Sequence, residues 1–576
     1  MKAADYIALY LERRGIAQVF ELVGGMITFL LDSLHQRTGI QIVSMHHEQG
    51  AAFAAEGAGR MTGVPGVAMA TSGPGATNLL TAIGSCYFDS TPAVFITGQV
   101  NTHEQKGQLA VRQLGFQETD IVSMARPVTK AAWLINNVAE LPARLEEAFQ
   151  LAMQGRPGPV LLDIPMDIQR AVVTDLSRLE TDAPPAPEPP SGGDSKAFWE
   201  QVLASLHRSE RPLILAGGGV RSGLATDLFR DLVHALGVPV VHSLMAVDVL
   251  PAAAPLRVGM IGSYGNRWAN IALSECDFML ILGSRLDVRQ TGADTENFKG
   301  QRAIYHIDCE AGEMNNRVKN CHAHISELRP FLKTALEKTG PSIQRQSWHE
   351  QIHASKSAWP DTHELKDLPS INPNILMHDI SAHSAQAAAY VVDVGQHQMW
   401  AAQSLQLGAD QRFLTSGGMG AMGFALPTAI GASLAAGGKP VVVIAGDGGV
   451  QLNIQELQTI RRLNLPVKVI VLNNHCHGMV RQFQQTYFDE RYQSTLWGYS
   501  APAFHQVAAA YGIPSRQVAD PAMLESALDE CWQNAEGPFL LEVMIDTSTN
   551  AYPKLAFGRP ISEMEPLAVP TAMEST

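Results

Sequence analysis

Two short apolar runs separated by a helical pattern stand out in the last third of the chain. Val441–Ala445 is wholly apolar, and Val467–Leu472 contains a single polar residue. Their length and composition are typical of buried strands in a parallel sheet. Between them, residues 453–463 place Leu457, Ile460 and further apolar side chains at helical spacing. The pattern predicts a βαβ unit whose two strands are parallel neighbours.

Polar residues follow both predicted strands directly. Asp447 comes after the first and Asn474 after the second, so both should lie at the carboxyl edge of the sheet, where α/β proteins bind ligands. Gly448 and Gly449 precede the predicted helix and leave backbone N–H groups open to phosphate. The loop has no Lys or Arg, but it offers a carboxylate and an amide oxygen, which are ligands that Mg²⁺ accepts. The sequence therefore predicts a magnesium ion between protein oxygens and a diphosphate.

The same alternation of apolar runs and helical patterns recurs throughout the chain. It predicts an α/β fold of three doubly wound parallel-sheet domains. A stretch rich in Pro, Gly and acidic residues forms a linker, and a polar stretch from about 340 to 369 joins the second domain to the third. The predicted parts are residues 1–178, linker 179–196, 197–340, 370–550 and a Pro-rich tail 551–576, which we expect to wrap the surface or cover the site.

Composition and charge narrow the class of protein. The 576 residues are 46% hydrophobic and 17% charged, with a formal net charge of -14, which argues against nucleic acid as a partner. No apolar run approaches the ~18–20 residues of a membrane span, and the first residues favour an amphipathic helix over a signal peptide. The six cysteines lack CxxC spacing, so we expect free thiols in a cytoplasmic protein. His475, Cys476 and His477 are adjacent and cannot easily converge on zinc.

The combination of motifs is more specific than any single motif. GDG alone also occurs as a plain strand-to-helix turn, but here 24 residues separate it from Asn473-Asn474. That spacing resembles the diphosphate and metal motif of thiamine diphosphate (ThDP) enzymes. HEQGAAFAAEGAGR, which contains Glu48, and TSGPGATN at 71–78 look like the pyrimidine-domain signature of the same family. Glu48 at a helix start could simply interact with the helix dipole; the resemblance instead makes it the acid that activates the cofactor. The small-residue helix after Glu48 should pack closely against another surface, which we expect to be a subunit interface.

The resemblance is closest to the catalytic subunit of acetolactate (acetohydroxyacid) synthase. VGQHQMWAAQ, TSGGMGAMGFALPTAIGA, GRPGPVLLDIP and FQET carry it, and it covers nearly the whole chain. It implies a pyrimidine-binding first domain, an FAD-binding-like central domain and a diphosphate- and magnesium-binding third domain. It assigns to ThDP Gly25, Glu48, Pro74, Asn78, Gly395, Gln396, His397, Gly420, Met422, Asp447, Gly448, Gly449, Asn474, Cys476, Gly478 and Met479. Within this set, Glu48 and Met422, together with Gln117, are the expected catalytic residues, and Asp447, Asn474 and Cys476 the expected metal ligands.

Further residues are assigned to FAD and substrate in the same way. The flavin region would comprise Arg156, Gly217, Gly218, Gly219, Arg285, Asp287, Arg289, Asp308 and Cys309. The three glycines could equally form an ordinary turn. Paired guanidinium groups such as Arg285 and Arg289 suit dinucleotide oxygens or a substrate carboxylate. The expected substrate residues are Phe116, Ser263, Arg289 and Phe483.

Departures from the family pattern fall on the acceptor side. Phe483 stands where the family has Trp, Ser263 where it has Met, and Met166 where it has Lys. The first two changes remove volume from the acceptor pocket, and Ser263 adds a hydroxyl group.

The leading interpretation is a carboligase that decarboxylates pyruvate and joins the two-carbon unit to a second carbonyl, giving 2-acetolactate if that carbonyl is pyruvate. The alternatives are a flavin-containing carboligase with a keto-sugar acceptor, a flavin-dependent pyruvate oxidase, and a non-enzymatic paralogue, which the presence of Glu48, Asp447 and Asn474 disfavours. The resemblance also implies 2-ketoacid substrates, a homodimer or homotetramer with sites at the interface, and scope for a separate regulatory subunit.

Overall fold

The computed structural model describes residues 1–180, 193–342 and 345–571. Most of the predicted linker 179–196 and the last residues of the tail lie outside these ranges. Three six-stranded sheets follow one another along the chain, and every strand pair within them is parallel. The predicted fold class is therefore confirmed.

The first sheet has the strand order β2-β1-β3-β4-β6-β5. Its strands are β1 Gln18–Leu22, β2 Gln41–Ser44, β3 Gly66–Ala70, β4 Ala93–Gln99, β5 Ala131–Leu134 and β6 Pro159–Pro165. Its helices are α1 Ala3–Arg13, α2 Thr28–His35, α3 Glu48–Thr62, α4 Pro74–Asn78, α5 Leu80–Phe88, α6 Ile121–Ala125, α7 Leu141–Met153, α8 Met166–Arg170 and α9 Ser177–Glu180. The central strands β3, β4 and β6 are buried along their whole length, as continuous apolar runs predict.

The second sheet has the order β12-β11-β10-β7-β8-β9. Its strands are β7 Pro212–Ala216, β8 Val240–His242, β9 Arg257–Met260, β10 Phe278–Leu282, β11 Ala303–Asp308 and β12 His322–Ile325. Its helices are α10 Ser195–Arg208, α11 Gly219–Ser222, α12 Thr226–Leu236, α13 Arg267–Glu275, α14 Val288–Thr291, α15 Thr295–Lys299, α16 Leu328–Lys338 and α17 Gln346–Ala358. Helix α17 lies in the stretch expected only to connect two domains, yet it buries Trp348 and Ile352 in the core of this sheet.

The third sheet has the order β14-β13-β15-β16-β18-β17. Its strands are β13 Ala389–Val392, β14 Arg412–Thr415, β15 Val441–Gly446, β16 Val467–Asn473, β17 Ser515–Val518 and β18 Phe539–Met544. Its helices are α18 Pro373–His383, α19 Gln396–Ser404, α20 Ala425–Ala435, α21 Asp447–Gln451, α22 Glu456–Arg462, α23 Gly478–Tyr487, α24 Phe504–Ala510 and α25 Leu524–Trp532.

The βαβ unit differs from its prediction in one respect. The strands β15 and β16 pair as expected, but two short helices, α21 and α22, replace the single predicted helix. Asn453 lies between them, and its Nδ2 donates to the Gly423 carbonyl at 2.8 Å and to the Gln49 side chain at 3.1 Å. These side-chain hydrogen bonds favour a break in the helix at this point.

The first and third domains share one hydrophobic core. Helices α3 and α20 pack so closely that a Cβ atom on Gly57 would lie 2.3 Å from the Thr428 carbonyl oxygen. A Cβ atom on Gly431 would lie 1.8 Å from the Ala54 carbonyl oxygen. The close packing predicted for α3 is therefore present, but the partner is a helix of the same chain and not the subunit interface we expected.

The tail lies against the second domain. Strands β19 Lys554–Leu555 and β20 Met564–Glu565 form a small antiparallel sheet. The Leu555 N–H donates to the Ser263 carbonyl at 2.7 Å, and Arg267 donates to the Met564 and Glu565 carbonyls. Within the described residues, no helix is both long and apolar enough to cross a membrane.

Candidate active site

The three predicted metal ligands lie together at the carboxyl edge of the third sheet. Because β15 and β16 pair through Gly446 and Leu472, the residues that follow each strand are neighbours. Asn474 Oδ1 accepts from the Cys476 N–H at 3.3 Å. Burial raises the pKa of Asp447 to about 6, although its contacts with Tyr499 and with the Cys476 backbone act in the opposite direction. Ionising this buried carboxyl group is costly unless a cation lies beside it. This property is expected of a metal ligand.

The donor set is one of hard oxygen atoms. Asp447 is 2% exposed, and its carboxylate accepts a hydrogen bond from the Tyr499 hydroxyl at 3.0 Å. In those ranges no group of three or more His, Cys, Asp and Glu side chains could hold a metal ion. A divalent cation here would therefore need the Asn474 amide oxygen and a backbone carbonyl in addition to Asp447, which fits Mg²⁺ better than zinc.

Glycines beside these ligands allow other side chains to approach the backbone closely. A Cβ atom on Gly478 would lie 1.9 Å from Gln396 Oε1, and one on Gly448 would lie 2.7 Å from the His477 ring. His397 Nε2 is buried and has no hydrogen-bond partner among the described residues. Burial lowers the pKa of His397 to about 3, against the effect of a hydrogen bond to the Asp393 backbone, so its ring is neutral and carries one N–H. In the tautomer protonated at Nε2, the ring would present an unpartnered donor that fits a diphosphate oxygen.

The glycine-rich loop 416–423 is held by a residue that the sequence reasoning did not select. Asp393 accepts N–H donations from Gly423 and Ala425, both at 3.0 Å. Gly420 and Gly423 have φ values of 66° and 83°, which favour glycine. The loop places the Met422 Cε 3.4 Å from the position of a Cβ on Gly448, so this predicted residue faces the diphosphate loop.

Some of the other predicted ThDP residues support their neighbours. A Cβ atom on Gly395 would lie 2.7 Å from the His397 ring, so Gly395 packs against that ring. A Cβ atom on Gly449 would lie 2.8 Å from the Asp393 carboxylate, so Gly449 packs against that group. Met479 packs against the core of the third domain.

The second half of the site belongs to the first domain. Glu48 begins α3 and is 7% exposed; its Oε2 accepts from Asn78 Nδ2 at 2.9 Å. Pro74 is the first residue of α4, and a Cβ atom on the next residue, Gly75, would lie 3.2 Å from Glu48 Oε1. Gly25 lies one residue after Gly24, which packs against Thr71 of the same motif.

The loop that carries Phe116 and Gln117 adjoins this half-site. Gln117 has a φ of 66°, and its Cβ lies 3.0 Å from the position of a Cβ on Gly73. The loop is fixed by Glu118, whose two carboxylate oxygens accept from the Lys106 and Leu114 N–H groups at 2.6 and 2.8 Å. Phe116 is 80% exposed, so a catalytically useful contact of its ring needs a surface that this chain alone does not provide.

The two groups of predicted residues are not hydrogen-bonded to each other. In the ranges described, no hydrogen bond joins Glu48, Asn78 or Gln117 to Asp447 or Asn474. Near the site the two domains contact each other where Gln49 lies 3.1 Å from Asn453 and where the His46 N–H donates to Glu456 at 3.0 Å. The predicted catalytic residues are thus present as two half-sites.

A cavity of about 610 Å³ lies where the three domains meet, a size that ligand sites commonly have. Nearly all the residues assigned to the flavin region line it, namely Arg156, Gly218, Gly219, Arg285, Asp287, Arg289, Asp308 and Cys309. Gly217 does not; a Cβ there would lie 2.0 Å from the Gly283 carbonyl oxygen, so its role is the close approach of two loops. Ser263 also lines the cavity.

The arginines around this cavity differ in their partners. Arg156 pairs with Glu310 at 2.9 Å and Glu313 at 2.8 Å. Arg285 contacts Asp287 at 3.3 Å, and Asp287 also caps α14 by accepting from the Arg289 N–H. The Arg289 guanidinium has neither a hydrogen bond nor an ion pair with a described residue, so it remains available for an anion.

The predicted acceptor residues are connected through the tail, which the sequence did not reveal. The Ser263 N–H donates to the Arg289 carbonyl at 2.6 Å, and the Ser263 carbonyl accepts from Leu555. Lys554 Nζ lies 5.5 Å from the centre of the Tyr487 ring, which contacts the Phe483 ring at 4.8 Å. Tyr487 contacts Phe483, and Lys554 lies next to Leu555, which bonds to Ser263, so these residues connect Phe483 to Ser263. The sequence did not indicate these contacts, because the residues lie far apart along the chain.

Comparison with known proteins identifies the class of protein first. Profiles described as the N-terminal TPP binding domain, the central domain and the C-terminal TPP binding domain of thiamine pyrophosphate enzymes match residues 1–124, 199–334 and 393–543. The chain is thus a thiamine diphosphate enzyme, with the cofactor's two binding domains at the positions of the two half-sites.

Relatives that align with nearly the whole chain show which family of thiamine diphosphate enzymes it belongs to. The chain is 36% identical to the acetolactate synthase large subunit of Lactococcus lactis over 554 residues, which cover 96% of this chain and 94% of the relative. It is 37% identical to the acetolactate synthase isozyme 2 large subunit of Escherichia coli K12 over 567 residues, covering 98% and 99%. A probable chloroplastic acetolactate synthase 2 of rice is 36% identical over 583 residues, covering 96% and 84%. The chain belongs to the acetolactate synthase family of transferases, and the resemblance seen in the sequence is confirmed.

Proposed function

We propose that this enzyme decarboxylates pyruvate and joins the resulting two-carbon unit to a second 2-ketoacid, giving 2-acetolactate when that acceptor is pyruvate. The observation that carries the proposal is the convergence of Asp447, Asn474 and Cys476 beside the unpartnered His397. The names of the relatives support the choice of reaction.

The third domain would hold the cofactor's charged end. Asp447 and Asn474 would contribute oxygen atoms to Mg²⁺, and the Cys476 carbonyl would complete the protein ligands. His397 would donate to the diphosphate. Thiamine diphosphate, when bound, supplies the electron sink for decarboxylation.

The first domain would supply the acid–base group. Glu48 would present its carboxyl group to the cofactor, and Asn78 keeps that group in one orientation through the 2.9 Å hydrogen bond. Because Glu48 is only 7% exposed, bulk water has little access to it. Phe116 and Gln117 would close the other side of the substrate.

Arg289 would bind the acceptor carboxylate. Its guanidinium has no partner among the described side chains, and its backbone carbonyl is tied to Ser263 in the acceptor wall. A bidentate guanidinium–carboxylate contact would orient a 2-ketoacid acceptor.

FAD is the group we propose for the large cavity. Arg156 and Arg285 would face its anionic parts, and the backbone at Gly218 and Gly219 would approach it closely because neither residue has a side chain. No step of the reaction requires it.

We also propose that the working enzyme is at least a dimer. Among the described residues no hydrogen bond joins Glu48, Asn78 or Gln117 to Asp447 or Asn474, and Phe116, at 80% exposed, and Phe483, at 38%, have apolar surfaces facing outward. A second copy could bring its third domain to this first domain and bury these rings. The relatives are large subunits, which favours a separate regulatory partner.

Product analysis tests the proposal. Purified enzyme with ThDP, Mg²⁺ and pyruvate should release one CO₂ for each 2-acetolactate formed, without consuming oxygen. Oxygen- or quinone-dependent turnover with acetate as product would identify a pyruvate oxidase instead. Turnover only when a keto-sugar is added would show that pyruvate is not the acceptor.

A further inference from the structure

A second cavity, of about 200 Å³, lies on the central domain between the start of β9 and helix α17. It shares no lining residue with the large cavity between the domains. One part of its wall is apolar, formed by Pro239, by residues 252–256, by Val258 and by Ile352. The other part is basic, formed by Arg257, His349, His353 and Lys356.

Arg257 is the central observation. Within residues 1–180, 193–342 and 345–571, its guanidinium makes no hydrogen bond and no ion pair, and its Nε is buried without a partner. Burial lowers the pKa of Arg257 to about 10, with Asp361 acting against that shift. The Asp361 carboxylate is itself engaged, because it contacts His378 Nε2 at 2.8 Å. Arg257 is half-buried, and its enclosed Nε–H is costly to leave unpaired unless an anion or ordered water completes its hydrogen bonds.

The other basic groups of the wall form no ion pair among the described residues. His349 Nε2 is buried and has no partner in the described part of the chain. Lys356 lies over the Trp268 ring at 5.6 Å. Burial lowers the pKa of His349, so Arg257 and Lys356 carry the positive charge of this wall. These cations lie in a chain whose formal net charge is -14.

We propose that this cavity binds a small organic anion with a carboxylate head and a compact apolar body. Arg257, with support from Lys356 and His349, matches the carboxylate, and the Pro, Ala, Leu, Val and Ile side chains match the body. At the ~0.74 packing density of protein interiors, the cavity would hold a molecule of roughly 150 Å³, which is more than the charged head alone needs. The site is distinct from the proposed active site.

Calorimetric titration of the full-length holoenzyme tests this site with three probes: 3-methylbutanoate, the neutral 3-methylbutan-1-ol and inorganic phosphate. We expect saturable binding of 3-methylbutanoate, with little or no binding of the alcohol. Arg257→Gln and Lys356→Gln should each weaken it about tenfold or more, since each removes a charged contact. Lys356 is exposed, so its variant should fold even if Arg257→Gln does not.

Two further variants distinguish binding in this cavity from binding elsewhere on the enzyme. Lys333→Gln removes an exposed positive charge at another position on the central domain and should leave binding unchanged. Arg289→Gln should also leave it unchanged if the probe binds here and not at the acceptor site. Loss of binding in Arg289→Gln but not in Lys356→Gln would overturn the proposal. So would equal binding of the alcohol, binding of phosphate alone, or no saturable binding at all.

Discussion

Replacing Phe483 with Trp tests where the acceptor preference of this enzyme arises. Phe483 is 38% exposed, and its ring contacts Tyr487 and Phe488 at 4.8 and 5.8 Å. Its exposed part is available to a substrate, so a larger ring should narrow the pocket around the acceptor side chain. An indole offers roughly 40 Å² more surface than a phenyl ring, which at ~25 cal/mol per Å² corresponds to about 1 kcal/mol. That free energy is roughly a fivefold change in preference.

The assay is a competition between pyruvate and 2-ketobutyrate at equal concentration, with both products measured. For the unaltered enzyme we expect a product ratio within about threefold of unity, because the smaller side chains at Phe483 and Ser263 would remove most of the ~1–3 kcal/mol that one methylene contributes in a well-fitted apolar pocket. Phe483→Trp should shift the ratio about fivefold toward the 2-ketobutyrate product. Phe198→Trp is the matched control, since Phe198 stacks on His324 in the central domain. A strong preference for 2-ketobutyrate in the unaltered enzyme, or no shift in the variant, would refute this assignment.

The remaining predictions concern the cofactor, the assembly and the packing. Asp447→Ala should stay folded but fail to retain ThDP in gel filtration with Mg²⁺, whereas Tyr499→Phe, which removes only the hydrogen bond to Asp447, should retain it; normal retention by Asp447→Ala would contradict the metal site. Glu48→Gln can still accept from Asn78, so we expect normal ThDP affinity with activity and C2-proton exchange reduced about 10²-fold or more; a loss of only a few-fold would make Glu48 structural. Sedimentation should show a dimer or larger assembly, and a fully active monomer would exclude a shared site. Gly431→Ala should lower the free energy of unfolding by about 1–3 kcal/mol or more in denaturant titration, while Gly312→Ala, with open space around its Cβ, should change it little.

The parts of the structure that were predictable from sequence are those encoded locally. The parallel strands follow from continuous apolar runs, and the position of the predicted metal ligands follows from polar residues placed directly after two neighbouring strands. Helix α17 was missed because only Trp348 and Ile352 are buried along its length, so it has almost no apolar periodicity. The contacts of Tyr499 with Asp447, and of Lys554 with Tyr487, depend on the folded arrangement of distant segments and have no signature in a single sequence.

The donor and acceptor sides of the site differ in how tightly the fold constrains them. On the donor side, several positions tolerate no side chain, since a Cβ on Gly478 would lie 1.9 Å from Gln396 Oε1. The proposed acceptor wall would be built instead from one face of α23, the loop at Ser263 and the tail, which are joined by ring contacts and a single backbone hydrogen bond. Substitutions at Phe483 should cost little in stability because its side chain is partly exposed. On the proposed function, the fold would preserve decarboxylation while acceptor preference changes, which fits departures from the family pattern at Phe483 and Ser263.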